Sequence, residues 1–309
     1  MSDRNAGGTG RSAVVFAYHN VGARCLRVLL EHGVEVKLVL THEDDPNETI
    51  WFENVAKIAA QHGIPFITPG DANTPEMIER IRALAPDFFF SFYYRRMLSP
   101  ALLAIPPRGA FNMHGSLLPN FRGRAPVNWA VIKGATETGA TLHEMVEKPD
   151  AGRLVDQEAV PIGPDDISFD VFGRVTDAAE IVLRRCLPGL LDGSAVLKTQ
   201  DLRQGSYFGG RKPEDGRIDW SQGAKAIHDL VRGVAPPYPG AFTNVAGTEI
   251  RILRTRLEPS RQAQAGGPGL YCEGDATYAD CGDGAVLRVL IAEGLDTIPG
   301  LRDGKVALK

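Results

Sequence analysis

The sequence predicts an α/β protein in which a Rossmann-like, mostly parallel sheet is followed by a small β-barrel. Short apolar strands alternate with amphipathic helices in the first part of the chain, which is the order of a doubly wound sheet. Short β-type runs between glycine- and proline-rich turns occupy the last third, as in a small barrel. A length of 309 residues suits about two domains. We therefore predict a first domain over residues 1–200, with 1–11 polar and disordered, and a second over 201–309.

The elements of the first domain each have a local signal. Apolar runs of strand length recur between turn residues, and apolar side chains at helical spacing fill the intervals. Thr74 followed by Pro75 indicates a helix start, because threonine caps the first turn and proline fits its first position. The predicted strands are Ala13–Tyr18, Val34–Leu40, Pro65–Thr68, Asp87–Tyr94 and Gly109–Met113, and the predicted helices are Arg24–Glu31, Val55–Gln61 and the segment from Thr74 to Leu84.

The pattern changes after the fifth predicted strand. Pro126 and Gly134 mark the start and the end of a short helix. Two β-type runs then flank a loop that carries Asp150. These runs are Ala140–Val146 and Leu154–Pro161, and further helices are predicted from Ser168 to a point before Gly193 and over Ala224–Val234.

Composition and charge exclude several classes of protein. A formal net charge of −4 and a pI near 6.0 argue against a broad nucleic-acid surface, since phosphate backbones are bound by clustered lysine and arginine. No apolar run approaches the roughly 18 residues of a membrane span, and no secretory signal is seen, so we expect a cytoplasmic protein without membrane insertion. The 4 cysteines form no Cys-x-x-Cys pair, which argues against a zinc site. The turn after the first strand lacks Gly-x-Gly-x-x-Gly, so NAD binding is not predicted.

Two pairs of arginines indicate a small ligand of negative charge. Arg95 adjoins Arg96, and Arg122 is separated from Arg124 by one glycine. Arginine recognises carboxylate and phosphate oxygens through its planar fork of donors. Two isolated pairs suit a small anion better than a polynucleotide.

An amide, an imidazole and a carboxylate stand close together in the sequence as Asn112, His114 and Asp150. Asn112 and a protonated His114 can stabilise an oxyanion, and Asp150 can take a proton from an attacking amine, so the set suits acyl transfer. The residues alone leave another interpretation open, because a histidine after an apolar run is often a core residue and Asp150 also fits a turn. Ser116 lacks the Gly-x-Ser-x-Gly context of a nucleophile, and we expect its hydroxyl to bond the backbone.

The whole block resembles a known family. Its motifs are Asn112-x-His114-x-Ser116-Leu117-Leu118-Pro119, Arg122-Gly123-x-Ala125-Pro126, Glu137-Thr138-Gly139 and Asp150-x-Gly152. They are similar to those of the 10-formyltetrahydrofolate-dependent formyltransferases, and the resemblance places the catalytic triad of that family on Asn112, His114 and Asp150. It also implies an OB-like β-barrel for the second domain, 10-formyltetrahydrofolate as co-substrate and no metal. The segments that hold this donor correspond to Arg96, Met97, Leu98, Arg124, Val146, Glu147, Lys148, Pro149 and Asp150.

One branch of the family resembles the chain most. The stretches from Ser91 to Arg95, Thr41-His42 and Arg124 to Trp129 look like those of the enzymes that formylate UDP-4-amino-4-deoxy-L-arabinose in lipid A modification and polymyxin resistance. This resemblance implies two small-molecule partners, a nucleotide sugar and a folate, and no nucleic acid. Fused members of the branch carry a second, decarboxylating domain, for which 309 residues leave no room. We therefore expect a stand-alone form or a different amino sugar.

Two other functions stay open at this point. Methionyl-tRNA formyltransferase has the same triad, but it carries a basic insertion where this chain has the acidic stretch from Glu43 to Glu48, which would repel tRNA. A non-catalytic folate or sugar-nucleotide binding protein needs the pocket without the triad. The intact set of Asn112, His114 and Asp150 argues against that second alternative.

Overall fold

The structure, a computed structural model, describes residues 11–46 and 49–308. The disorder predicted for residues 1–11 therefore concerns a segment that lies almost wholly outside the described residues. Asn47 and Glu48 of the acidic stretch also lie outside them. None of the helices within the described ranges is long and apolar enough to cross a membrane.

The chain forms two compact units that interleave along the sequence. Unit 1 is built from the described residues of 1–123, 139–160 and 174–207, and unit 2 from those of 124–138, 161–173 and 208–309. Unit 2 thus takes in two segments that precede residue 200. The assignment of domains to 1–200 and 201–309 stays a prediction.

Strands and helices follow one another in the predicted alternating order. The strands are β1 Ser12–Ala17, β2 Glu35–Leu40, β3 Phe66–Ile67, β4 Phe88–Phe92, β5 Ala110–His114, β6 Arg122–Gly123, β7 Glu137–Glu144, β8 Leu154–Pro161, β9 Tyr207–Phe208, β10 Ala241–Val245, β11 Thr248–Leu257, β12 Gly269–Glu273, β13 Ala276–Asp280, β14 Val286–Glu293 and β15 Val306–Ala307. The helices are α1 His19–Glu31, α2 Val55–Gln61, α3 Pro75–Ala83, α4 Pro100–Leu103, α5 Pro126–Ile132, α6 Ser168–Asp192 and α7 Ala224–Val234.

A seven-stranded sheet in the order β3-β2-β1-β4-β5-β7-β8 forms the framework of unit 1. The five strands from β3 to β5 in this order pair in parallel, and β7 joins β5 antiparallel. All residues of β1 and β4 are buried, as is usual for parallel strands that are covered on both faces. The predicted Rossmann-like, mostly parallel sheet is confirmed.

The helices of unit 1 show why some boundaries are easier to predict than others. Thr74 caps α3 by accepting the backbone N–H of Met77 at 3.3 Å, as its sequence position predicts. Helix α1 instead begins at His19, ahead of the predicted start at Arg24. Tyr18 at its N-cap position makes no side-chain capping bond, so the usual sequence signal for a helix start is missing there.

Unit 2 is built on a six-stranded antiparallel sheet in the order β10-β11-β14-β13-β12-β15. Helix α7 packs against β11, and its buried Val231 belongs to the same apolar core as Trp220 and Ile252. The indole N–H of Trp220 donates to the Thr243 hydroxyl at 3.0 Å, so its one polar atom is satisfied inside that core. The sheet is an antiparallel half-barrel. The predicted fold class, a parallel-rich α/β sheet followed by a small barrel-like β domain, is confirmed.

Candidate active site

Strand β5 carries two of the three predicted catalytic residues. Because side chains alternate between the faces of a strand, Asn112 and His114 share one face, while Met113 lies on the other. The strand ends at His114, one position later than predicted, and its antiparallel pairing with β7 sets Asn112 opposite His143. In open parallel sheets, ligands bind beyond the carboxyl ends of the strands, which is where this pair of side chains lies.

The third predicted residue, Asp150, lies in the loop between β7 and β8. Its backbone adopts the left-handed region at φ 51°, which aspartate tolerates better than most residues. The Oδ2 atom accepts the Gly123 backbone N–H at 2.8 Å. Gly152 allows the loop to pass close to β7, because a Cβ at this position would lie 1.9 Å from the Glu144 carbonyl oxygen. The carboxylate of Asp150 is therefore held by one backbone N–H, and the loop that carries it runs close against β7.

Gln200 fixes the same loop from a distant part of the sequence. Its Nε2 atom donates to the carbonyl oxygens of Asp150, at 3.2 Å, and Gly152, at 2.5 Å. A non-glycine residue in the left-handed region persists where its surroundings over-determine the conformation. The two bonds of Gln200 supply such a restraint, and sequence reasoning did not single this residue out because the contact exists only after folding.

His114 contacts both the carboxylate and the backbone. Its Nδ1 atom lies 3.5 Å from Asp150 Oδ1, and its Nε2 atom lies 2.9 Å from the Phe121 carbonyl oxygen. A carbonyl oxygen only accepts, so Nε2 carries the proton, and Nδ1 of the neutral ring faces Asp150 unprotonated. Burial lowers the pKa of His114, although Asp150 and the Phe121 carbonyl oppose that shift. We therefore assign a neutral His114 in the resting site, in place of the protonated form that the sequence suggested.

Asp150 stays ionised. Burial alone would raise its pKa, but attraction to the His114 and His143 rings in their protonated forms, together with the Gly123 N–H, outweighs burial and holds the pKa below its usual range. A fixed carboxylate beside Nδ1 stabilises the imidazolium that forms when His114 accepts a proton. Asp150 thus favours proton uptake by His114 during a reaction.

His143 is a site residue that the sequence analysis missed. It is buried on β7, and its Nδ1–H donates to the Glu144 carbonyl at 2.8 Å, which leaves Nε2 as an acceptor. That atom accepts the Asn112 Nδ2–H at 3.1 Å and lies 3.5 Å from Asp150 Oδ1. The sequence feature that could have indicated His143 is its position inside an apolar strand just before the Asp150 loop.

The amide of Asn112 is left with one N–H for a ligand. An amide nitrogen has two hydrogens, and His143 accepts one of them. A fixed N–H that stabilises a developing oxyanion is worth a factor of about 10²–10³ in turnover. The site therefore combines an oxyanion donor, an imidazole and an ionised carboxylate, which is a set able to perform acyl transfer.

Ser116 is fully buried, and its hydroxyl donates to the Asn120 carbonyl at 2.6 Å. The backbone bond expected from the sequence is therefore present. Because the hydroxyl proton is directed at Asn120 rather than at an imidazole, the geometry gives no reason to assign Ser116 as a nucleophile.

The residues that the resemblance assigns to the donor differ in exposure. In the connection between β4 and α4, Met97 is 55% exposed, whereas Leu98 is buried in the apolar core of unit 1. Leu98 therefore contributes core packing. The remaining assigned side chains are the exposed Arg96, Val146, Glu147 and Lys148, the half-buried Pro149 and Asp150, all in unit 1, and the exposed Arg124 in unit 2, which immediately precedes the N-cap of α5.

Cysteine and metal chemistry have no obvious place in the described ranges. No three or more His, Cys, Asp or Glu side chains gather there as a metal site. All 4 cysteines are free, and burial raises the pKa of the Cys25 thiol and, to about 12, that of Cys186. Both thiols are thus protonated and unreactive at neutral pH.

A mostly parallel α/β sheet that presents an amide and an imidazole at the end of β5, beside a carboxylate from the β7–β8 loop, is the framework of an α/β group-transfer enzyme. The chain belongs to the formyl transferase family: residues 14–187 match the model of the formyl transferase domain, and residues 211–298 match that of the formyl transferase C-terminal domain. The family resemblance seen in the sequence is confirmed, and the protein is a formyltransferase.

Solved structures of low sequence identity share the fold. An N-formyltransferase from Helicobacter canadensis, in complex with folinic acid and dTDP-3-aminofucose, is 18% identical with a TM-score of 0.70, and the match covers 90% of this chain and 98% of that one. WlaRD, a sugar 3N-formyl transferase solved with dTDP and 5-N-formyl-THF, is 17% identical with a TM-score of 0.70, covering 91% and 97%. HypX from Aquifex aeolicus, in complex with tetrahydrofolic acid, is 20% identical with a TM-score of 0.59, covering 90% and 43%.

Proposed function

We propose that this formyltransferase transfers a formyl group from 10-formyltetrahydrofolate to the amino group of a nucleotide-linked amino sugar. The first acceptor to consider is UDP-4-amino-4-deoxy-L-arabinose. The enzyme would then act in the cytoplasm and serve lipid A modification and polymyxin resistance. The observation that carries the proposal is the approach of His114 Nδ1 to Asp150 Oδ1 at 3.5 Å, next to the Asn112 amide that His143 holds.

Two lines of evidence support this class of substrates. The Helicobacter canadensis enzyme and WlaRD were solved with a folate derivative together with a dTDP amino sugar or dTDP. The motifs of this chain at Ser91 to Arg95 and at Thr41-His42 resemble the branch that uses UDP-4-amino-4-deoxy-L-arabinose. The dTDP ligands of the relatives make dTDP amino sugars the second acceptors to test.

The acidic stretch after β2 supports a small acceptor over tRNA. Its described residues include Glu43, Asp44 and Asp45, and Asp44 accepts the Tyr18 hydroxyl at 2.8 Å, which fixes one of these carboxylates. Carboxylates at a surface repel the phosphate backbone that a tRNA would bring.

The proposed reaction exchanges one C–N bond for another. The unprotonated sugar amine attacks the formyl carbon, the new C–N bond forms, and the carbonyl oxygen becomes an oxyanion. Asn112 donates its free N–H to that oxygen, and His114 also donates once Nε2–H shares or leaves the Phe121 carbonyl. Asp150 accepts the amine proton directly or through a water and passes it to His114 Nδ1, 3.5 Å away, which makes the imidazolium. The bond to N10 then breaks, and N10 takes a proton from His114 or a relayed water, giving the formamide and tetrahydrofolate.

The donor would be held by the exposed residues that the family resemblance assigns to it. In unit 1 these are Arg96, Met97 and the loop of residues 146–150, which also carries Asp150. Placing the formyl group next to this loop would bring it within reach of the carboxylate. Arg124 of unit 2 is assigned to the same ligand.

The test is a mass-spectrometric assay with 10-formyltetrahydrofolate and three acceptors: UDP-4-amino-4-deoxy-L-arabinose, a panel of dTDP amino sugars, and methionyl-tRNA. We expect the UDP sugar to gain one formyl group and methionyl-tRNA to stay unmodified. Formylation of a dTDP amino sugar alone would support the proposed reaction and replace the proposed UDP acceptor with a dTDP amino sugar. Formylation of methionyl-tRNA at physiological salt, with none of the sugars modified, would overturn the proposal.

A further inference from the structure

The side chain of Arg122 is buried, and its Nε atom has no acceptor. Arg122 is 8% exposed, and its Nε atom is sealed from solvent with no hydrogen-bond partner. Within residues 11–46 and 49–308, no carboxylate or carbonyl oxygen accepts from this Nε atom. Arg232 of unit 2 shows the usual arrangement at similar burial, 4% exposed, because it donates to Asp229 at 2.7 Å and to the carbonyl of Asp166 at 3.1 Å.

Arg122 lies between two direct contacts to the candidate catalytic residues. The carbonyl of the preceding residue, Phe121, accepts from His114 at 2.9 Å, and the N–H of the following residue, Gly123, donates to Asp150 at 2.8 Å. The Arg122 backbone N–H is itself fixed to the Ser206 carbonyl at 3.0 Å. The backbone that carries this cation is therefore held beside the His114–Asp150 pair.

The carboxylate of Asp150 does not serve as the counterion. Its Oδ2 atom receives the Gly123 N–H, and its Oδ1 atom faces His114 and His143, each at 3.5 Å. No ion pair joins Asp150 to Arg122 within the described residues. Arg122 is thus largely shielded from water, and Asp150 does not neutralise its charge.

A buried cation without acceptors destabilises a fold, since desolvation of a charge is costly when no partner compensates it. A ligand that supplies the missing acceptors on binding would offset this desolvation cost. Phosphate oxygens match the planar fork of a guanidinium, which donates to them in bidentate geometry.

We propose that Arg122 binds the phosphate attached to the sugar of the acceptor, an assignment that rests on the proposed function. The amine has to reach the His114–Asp150 pair, and in a nucleotide-linked amino sugar the phosphate is separated from that amine by a single sugar ring. The other anions in the reaction, the glutamyl carboxylates of the folate, are separated from the formyl nitrogen by an aminobenzoyl ring and an amide. An arginine whose backbone lies beside the catalytic pair therefore suits the acceptor phosphate better than the folate carboxylates.

The experiment measures binding by calorimetry to wild type, Arg122→Gln and Arg203→Gln. Arg203 is a matched surface control, because its side chain is 90% exposed and pairs with Asp201. The probes are UDP and dTDP, the nucleosides uridine and thymidine, and 5-formyltetrahydrofolate for the donor pocket. We expect Arg122→Gln to weaken the preferred nucleoside diphosphate by about 10- to 100-fold, the range of a charge-assisted hydrogen bond. Affinity for the nucleosides and for the folate should stay unchanged, and Arg203→Gln should match wild type.

Thermal melting without ligand separates binding from a structural role. Removal of a charge that lacks a partner should leave the Tm of Arg122→Gln at or above that of wild type, whereas loss of a structural arginine should lower it. A clear fall in Tm, or a variant that does not fold, would therefore overturn the proposal. So would an unchanged affinity for the nucleoside diphosphate, or a loss confined to the folate. If wild type binds neither UDP nor dTDP, the proposed class of acceptor fails together with this assignment.

Discussion

Asn112 and His143 face each other across the β5–β7 pairing, and Asn112 Nδ2 donates to His143 Nε2 at 3.1 Å. The Nδ1–H of His143 is used by the Glu144 carbonyl, so the ring presents a lone pair to Asn112. This contact orients the amide that we propose as the oxyanion donor. His143, which is not one of the motif residues, is therefore a positioning residue for Asn112.

Replacement of His143 tests this orientation. His143→Phe keeps a ring of similar size and removes the acceptor, and we expect kcat to fall by about 10-fold or more, with KM nearly unchanged. His143→Gln should retain more activity, because its side-chain oxygen can still accept from Asn112. His62→Gln is the control, since His62 is exposed. Near-normal kcat in His143→Phe would show that Asn112 needs no such support.

Asp150→Asn separates a catalytic carboxylate from a loop-capping one. Asparagine also tolerates the φ of 51°, and its side-chain oxygen can accept the Gly123 N–H, so folding should be preserved. Without the negative charge, however, nothing stabilises protonated His114 or accepts the amine proton. We expect kcat to collapse while donor affinity and Tm stay close to wild type. Full turnover in the folded variant would remove Asp150 from the mechanism.

Asn112→Ala and His114→Ala should each lower kcat by about 10²–10⁴, because both groups act mainly on charge that develops in the transition state. Steady-state kinetics with the formylated acceptor as readout, together with circular dichroism to verify folding, checks this expectation. If both folded variants keep their turnover, the acyl-transfer site lies elsewhere in the chain.

We expect replacement of Gln200 to lower kcat, because this residue restrains the loop that carries Asp150. Gln200→Glu keeps the shape of the side chain but replaces the N–H donor with an acceptor that faces the carbonyls of Asp150 and Gly152. We expect it to lower kcat more than Gln200→Ala, which leaves the loop unrestrained without repelling it. Hydrogen exchange of the loop should increase in both variants. Equal activity in the three proteins would mean that the loop holds its conformation without Gln200.

Acid should destabilise the protein because several histidines are kept neutral in the fold. Burial, reinforced by neighbouring arginine charge, lowers the pKa of His19 to about 3 and that of His42 to about 4, and burial also lowers the pKa of His114. Unfolded histidines titrate near pH 6.5, so below that pH the unfolded chain binds more protons. The free energy of unfolding should therefore fall as the pH drops from about 6.5 to about 4.

Urea unfolding at a series of pH values measures this dependence. His42→Gln provides the comparison, since glutamine can still accept the Arg95 backbone N–H but does not titrate. The variant should lose less stability on acidification than wild type does. A free energy of unfolding that stays constant across the window in wild type would contradict the assignment of neutral buried histidines.

Local sequence signals account for the order of the main elements and for most of their bounds. Helices α2 and α7 coincide with the predicted Val55–Gln61 and Ala224–Val234, and Thr74 caps α3 as expected. These are local properties, since apolar periodicity, a capping side chain and a turn residue act within a few positions of chain. The motifs also led to the formyl transferase family before any contact was known.

The surroundings of the candidate catalytic residues depend on contacts that form only on folding. The antiparallel pairing of β7 with β5 brings His143 to Asn112, and folding carries Gln200 to the Asp150 loop. Burial then decides the charge of His114, which the sequence had left as a protonated donor. Hydrogen-bond partners and desolvation depend on atoms that are distant in the chain and adjacent in space. No local pattern encodes them, which is why the motif residues were predictable and their supporting contacts were not.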